Sequence, residues 1–110
     1  MIDYETWLLD TGDVVIQNKA AKGYDSLPSV EKAVYCLWVI DYAIRNSGTL
    51  EPVFELHPTS LQELSNFAAS ETFPALQLLL ESLGSPEAEE KYYSLFSAAC
   101  SELATRYGHT

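Results

Sequence analysis

The sequence predicts an all-α fold: one helical domain over residues 1–110, a single compact bundle of about five to six helices around a central apolar helix at about residues 28–46. Three observations predict it. Apolar residues recur at helical spacing in successive segments, proline and glycine stand at the segment boundaries, and no segment shows clear strand character. With 110 residues and 47% hydrophobic content, the chain is long enough to build one core, and dimerisation is one way to cover spare apolar surface.

The first helical segment is predicted over residues 3–22. Asp3 is placed to cap its start, and Gly23 is predicted to end it as a left-handed residue. Gly12 lies in the middle of this segment, where glycine costs about 1 kcal/mol relative to alanine. The segment is therefore either one helix or two short helices separated by a break at Thr11 and Gly12.

The second helix is predicted to be the central one. Pro28 fits its first turn, and the segment Asn46-Ser47-Gly48 is predicted to end it. Between these limits apolar residues occupy most faces of the helix, which is typical of a helix surrounded by others. Thr49 is placed to cap a short turn that contains Pro52.

Further helices are predicted in the C-terminal half. The segment Thr59-Ser60-Leu61-Gln62 has the pattern of a capping box that opens one of them. Pro74 marks an interruption, followed by a leucine-rich segment that ends at Gly84. Ser85-Pro86-Glu87 then combines a capping hydroxyl, an early proline and a carboxylate near the positive end of the helix dipole, so it predicts the start of the last helix.

The charge limits the classes of partner. Sixteen acidic and six basic residues give a formal net charge of -10, which opposes direct binding to nucleic acid or to an anionic membrane. The preferred partner should therefore be a neutral or basic protein. The N-terminus has no basic segment before an apolar run, and no apolar run is long enough to span a bilayer, so a cytoplasmic location is expected.

Patterns for catalysis or metal binding are weak in this sequence. Cys36 and Cys100 lie in aromatic-rich helical segments and are predicted to be free buried thiols. His57 and His109 lack the paired spacing that places two imidazoles on one helix face, so no metal site is expected. Neither a serine nucleophile motif nor a glycine-rich phosphate loop occurs, so we expect no cofactor and no enzymatic activity.

One short string does resemble a catalytic motif. The segment from Leu8 to Gly12, with Asp10 at its centre, is similar to the motif of retroviral-type aspartic proteases, in which each chain of a dimer supplies one aspartate. That family is built almost entirely of strands, whereas most of this chain is predicted to be helical. The preferred interpretation places Asp10 and Asp13 on a solvated helix face or turn.

Asp41 is the acidic residue predicted to be buried. It shares a helix face with apolar residues of the central helix, and a buried carboxylate requires hydrogen-bond donors. The preferred interpretation is a structural acid bound by backbone, by Arg45 or by a tyrosine.

The remaining acidic residues supply the candidate functional surface. Carboxylates one helical turn apart are about 5–6 Å from each other and can imitate a row of phosphates. The residues expected to point outward and contact a partner are Glu51, Glu55, Glu63, Glu71, Glu81, Glu87, Glu89 and Glu90.

Residues 27–110 resemble a bacterial family of small acidic helical domains that includes DNA-mimic proteins. The residues that carry this resemblance are Leu27, Pro28, Val34, Tyr35, Ile40, Asp41, Ile44, Asn46, Gly48, Phe54, Leu83, Gly84 and Ala88. The resemblance implies an all-helical fold and suggests DNA mimicry as an activity.

The hypothesis that follows is a non-enzymatic acidic module that binds a protein, specifically a DNA mimic that occupies a basic nucleic-acid-binding surface. An immunity-type inhibitor of a nuclease toxin is the alternative, because such inhibitors are also small and acidic. An aspartic protease that uses Asp10 is the third interpretation, and it requires a strand-rich fold.

Overall fold

Six α-helices, one short 3-10 turn and no strand make up the part of the chain that the structure describes, residues 3–83 and 88–108 of a computed structural model. The all-α prediction is confirmed. None of the helices in these ranges combines the length and apolar character needed to cross a membrane. The helices are α1 (Tyr4–Lys22), α2 (Ser29–Ser47), α3 (Glu51–Leu56), α4 (Ser60–Glu71), α5 (Pro74–Ser82) and α6 (Ala88–Tyr107), and the 3-10 turn is Tyr24–Ser26.

Helix α1 is continuous, so the possible break at Gly12 does not occur. Asp3 caps the helix as predicted, and its carboxylate accepts hydrogen bonds from the backbone N–H groups of Glu5 and Thr6 at 3.1 and 3.5 Å. Gly12 allows the close approach of α2, because a Cβ atom at this position would lie 2.5 Å from Trp38 Cδ1. Gly23 ends the helix with a φ of 86°, but its ψ of 150° differs from the left-handed helical conformation that we predicted.

Helix α2 is the central helix, as the sequence predicts. It contacts α1, α3, α4 and α6, and Leu37, Val39 and Ile40 are fully buried between these neighbours. Pro28 immediately precedes the first helical residue. Gly48 ends the helix in the left-handed conformation, with its N–H donating to the Ile44 carbonyl at 3.0 Å.

The two helices that follow α3 begin at the predicted positions, after Thr59 and at Pro74, but the hydrogen bonds at their starts were not predicted. Thr59 precedes α4, yet its ψ of 8° is not the extended conformation of a capping residue, and its hydroxyl donates to the Glu63 carboxylate instead. The predicted capping box is therefore wrong. The start of α5 is capped from α6, because the Glu102 carboxylate accepts the backbone N–H groups of Ala75 and Leu76 at 3.0 and 2.9 Å.

The end of the leucine-rich segment at Gly84 and the predicted helix start at residues 85–87 lie outside the described residues. The last helix itself is present as α6, and Tyr92, Ala99 and Leu103 face the core. Cys36 and Cys100 are free thiols with no exposed surface, which confirms their predicted state.

Candidate functional site

Four of the acidic residues predicted to contact a partner are exposed in the structure. Glu51 and Glu55 lie on α3, Glu81 on α5 and Glu90 on α6. Two others, Glu87 and the side chain of Glu89, lie outside the described part of the molecule. The exposed members thus occupy three separate helices.

Glu63 and Glu71 differ from the prediction, because their side chains are only 33% and 30% exposed and are bound to other residues. Glu71 forms an ion pair with Arg106 at 3.5 Å. Both glutamates line a cavity of about 350 Å³ that also includes Ala33 and Cys36 of α2. They lie on the side of α4 that faces α2, so they are not part of an outward acidic surface.

The outward side of α3 combines carboxylates with an exposed aromatic ring. Val53 faces the core and has no exposed surface, whereas Phe54 is 60% exposed and lies on the same short helix as the exposed Glu51 and Glu55. Leu56 adds a further exposed apolar side chain at 47%. A large apolar side chain exposed to this degree adds little to the core, so its surface is available to a partner.

A row of stacked aromatic rings runs along α2 beside this helix. The ring of Trp38 lies 6.3 Å from that of Tyr35 and 5.8 Å from that of Tyr42, with interplanar angles of 16° and 20°. Tyr35 contacts both Lys19 of α1, at 5.3 Å, and His57, which follows α3, at 5.4 Å. The end of α1 and the end of α3 therefore both adjoin the aromatic row at Tyr35.

A groove of about 250 Å³ opens between α1 and α2 beside this row, and its lining includes Leu9, Trp38 and Tyr42. Leu9 is 52% exposed and Tyr42 is 44% exposed. We call the surface that comprises this groove, the aromatic row and the exposed sides of α1 and α3 the α1–α3 face. Its exposed residues include Leu9, Asp10, Asp13, Tyr42, Glu51, Phe54 and Glu55. Glu5 and Arg45 also line the groove.

The α1 side of this face carries two carboxylates outside the predicted contact set. Asp10 and Asp13 are exposed and, within the described residues, form no ion pair. Asp13 accepts a hydrogen bond of 3.4 Å from Gln17 on the next turn. Both were interpreted from sequence as solvated residues. Their spacing of three residues, next to the apolar Leu9, indicates that the two carboxylates are neighbours on the surface of α1.

Asp41 is 3% exposed and lies in a network that joins α2 to α6. Its carboxylate accepts hydrogen bonds from Arg45 Nε at 2.8 and 3.0 Å and from the Tyr92 hydroxyl at 2.5 Å. Burial raises the pKa of Asp41, although the bonds from Tyr92 and Arg45 act in the opposite direction. The Arg45 guanidinium also lies 4.8 Å from the centre of the Phe96 ring, and its side chain is 25% exposed.

A second polar cluster joins α2 to the start of α4. The Glu63 carboxylate binds the Tyr24 hydroxyl at 2.5 Å and His57 Nε2 at 2.6 Å, and it also accepts the Thr59 hydroxyl. The Tyr24 hydroxyl oxygen lies 3.6 Å from Cys36 Sγ. Burial acts to raise the pKa of Glu63, but the hydrogen bonds from Thr59, Tyr24 and His57 outweigh it and hold the pKa below its usual value.

This cluster was not predicted, because its members are distant in sequence. Sequence spacing predicts a metal or catalytic site only where ligands recur on one helix or loop. Here Cys36 comes from α2, His57 from the segment between α3 and α4, and Glu63 from the first turn of α4. Their ligand atoms nevertheless lie within 4.8 Å of one another.

Comparisons with models of known protein families, with curated proteins and with solved structures found no match for this chain. The class of protein is therefore defined by its fold, an all-α bundle around a central helix. The protease interpretation of Asp10 requires a strand-built site, and Asp10 lies instead on an exposed face of α1 in a part of the chain that forms no strand.

Proposed function

We propose that this protein is a non-enzymatic module that binds a basic surface of another protein through the α1–α3 face and competes there with nucleic acid. The observation that carries the proposal is the exposed ring of Phe54 on the same short helix as two exposed carboxylates, Glu51 and Glu55. The net charge of -10 supports it, because the whole chain attracts positively charged partners over a long range.

The carboxylates of this face act on the partner in pairs. Glu51 and Glu55 are one helical turn apart, about 6 Å, and Asp10 and Asp13 are similarly close. Both spacings are shorter than the screening length of about 8 Å at physiological ionic strength, so each pair acts as a joint negative centre. Lysine and arginine side chains that normally bind phosphates can bind such pairs.

The aromatic side chains supply specificity that charge alone does not. Exposed carboxylates mainly accelerate association and make it dependent on salt. Phe54 and the groove beside Tyr42 offer apolar contacts, and only a partner of complementary shape excludes water from them. The proposed partner is therefore a protein with a basic groove bordered by an apolar pocket, a combination typical of a protein that contacts nucleic acid.

A matched pair of charge variants tests the electrostatic part of this proposal. Glu51→Gln with Glu55→Gln is expected to weaken binding to the captured partner by about 3- to 10-fold, since exposed ion pairs contribute about 0.2–1 kcal/mol each. Glu81→Gln with Glu90→Gln changes the net charge equally but lies outside the α1–α3 face, so binding should change by less than about 2-fold. The measurement is a titration by fluorescence anisotropy at low and high salt, with a partner captured from heparin-retained proteins.

The variant Phe54→Ala tests the proposed contribution of apolar contacts to binding. If Phe54 is the anchor, binding should weaken by about 30-fold, which corresponds to about 2 kcal/mol. Double-stranded DNA should displace the captured partner. The proposal is wrong if the partner binds DNA and this protein simultaneously, if both charge pairs act equally, or if Phe54→Ala instead abolishes a homodimer detected by sedimentation.

A further inference from the structure

We propose that Cys36, His57 and Glu63 bind one divalent transition-metal ion, and that the ion is zinc. The three side chains offer one thiol sulfur, one imidazole nitrogen and one carboxylate oxygen, all within 4.8 Å of one another. Thiolate and imidazole ligands favour zinc over magnesium and calcium, which prefer sites made only of oxygen. This inference does not depend on the proposed protein-binding role.

The distances need only small side-chain adjustments to hold such an ion. Bonds of about 2.0–2.3 Å in tetrahedral geometry place neighbouring ligand atoms about 3.3–3.8 Å apart. His57 Nε2 and Glu63 Oε2 are 2.6 Å apart and would have to separate by about 0.7 Å. The other spacings lie within 4.8 Å and would shorten by no more than about 1 Å. Because His57 and Glu63 are partly exposed, their side chains have room for these shifts.

The charges also balance at this position. Cys36 is fully buried, and burial raises the pKa of its thiol to about 11. On binding, the thiol would release its proton to solvent, and the thiolate with the Glu63 carboxylate would supply two negative charges to a doubly charged ion. The resulting site is neutral overall, which reduces the cost of burying it.

Surrounding groups provide orientation and access. The Tyr24 hydroxyl donates to Glu63 Oε1, so Glu63 Oε2 is the oxygen directed to the ion while Tyr24 holds the other. The cavity of about 350 Å³ beside α2 is lined by Cys36 and Glu63, and it offers an access route and a fourth position for water. Lys32 lines the same cavity and is the one group in this lining whose charge opposes the ion.

Titration of the purified chain with zinc, after a chelator has removed bound metal, tests the proposal. One zinc ion per chain should bind, in competition with a chromophoric chelator. Cys36→Ser, His57→Gln and Glu63→Gln should each weaken binding by about 100-fold or more, and Tyr24→Phe by about 10- to 100-fold as a positioning residue. Cys100→Ser is the matched control, because Cys100 is equally buried but lies away from the cluster. The affinity of this variant for zinc should be unchanged.

Cobalt substitution gives a readout that a structural role alone would not produce. The Co²⁺-loaded chain should show the visible absorption of a tetrahedral site and a near-ultraviolet thiolate band, and Cys36→Ser should abolish the thiolate band while Cys100→Ser retains it. Circular dichroism will establish that each variant is folded, and His57→Gln decides the result if Cys36→Ser does not fold. Failure of the wild-type chain to bind one equivalent of zinc, or equal binding by folded His57→Gln, overturns the proposal.

Discussion

Replacing Asp41 with alanine is expected to lower the free energy of unfolding by about 3–5 kcal/mol, the usual effect of removing one partner from a buried charged pair. Two donors lose their acceptor in this variant. The Tyr92 hydroxyl belongs to a side chain with no exposed surface, so water cannot replace the lost carboxylate without opening the bundle. Glu5, at 3.7 Å, would be the remaining carboxylate near Arg45, beside the ring contacts with Tyr93 and Phe96.

The variant Asp41→Asn distinguishes the contribution of the charge to stability from that of the hydrogen bonds. Asp41→Asn keeps the shape and an oxygen that can accept from Tyr92, and it removes the cost of burying a charge, so we expect a loss of less than about 2 kcal/mol. Glu55→Ala is the exposed control and should change stability by no more than about 0.5 kcal/mol. Urea unfolding followed by circular dichroism measures all three. An effect of Asp41→Ala below about 1 kcal/mol would show that the network contributes little.

Replacing Gly12 with valine should destabilise the protein by about 3 kcal/mol or more, and alanine by about 1–2 kcal/mol. At an open helix position, alanine would stabilise by up to about 1 kcal/mol, so the sign of the change is informative. The reason for the loss is the Cβ atom, which would lie 2.5 Å from Trp38 Cδ1. Trp38 has limited freedom to move, because its ring is stacked between Tyr35 and Tyr42.

A double-mutant cycle identifies the cause of the Gly12 effect. In a Trp38→Ala background the obstructing ring is absent, so Gly12→Ala should become neutral or stabilising. Thermal and urea unfolding of the four proteins in this cycle supply the coupling energy. If Gly12→Ala remains equally destabilising without Trp38, then helix packing at this position has another cause.

The helices of this fold are predictable because their signals are local. Asp3 and Gly48 act within one turn of their own helix, and the apolar faces of α2 require no knowledge of its neighbours to be recognised. The failures have non-local causes. Gly12 indicates a helix break when the sequence is considered alone, but in the fold it accommodates the ring of Trp38 from another helix. The α5 cap comes from Glu102, which is 26 residues from Leu76.

The candidate sites were less predictable than the helices, because helical periodicity defines a face but not its neighbour. Glu63 has the spacing of an outward residue on α4, yet Tyr24 and His57 lie opposite it and bind its carboxylate. Glu51 and Glu55 on the short α3 are exposed, and no described residue binds their carboxylates in this way. Which glutamates remain available to a partner is therefore decided by tertiary packing.

The position of α2 has a consequence for how the bundle opens. Because α2 contacts α1, α3, α4 and α6, no partly unfolded form can release it and keep a continuous core. Backbone amides in the middle of α2 should therefore exchange with solvent deuterium only through global unfolding. Helix α3 has its main contact with α2 alone, so it can detach by a local fluctuation that leaves the rest of the molecule folded.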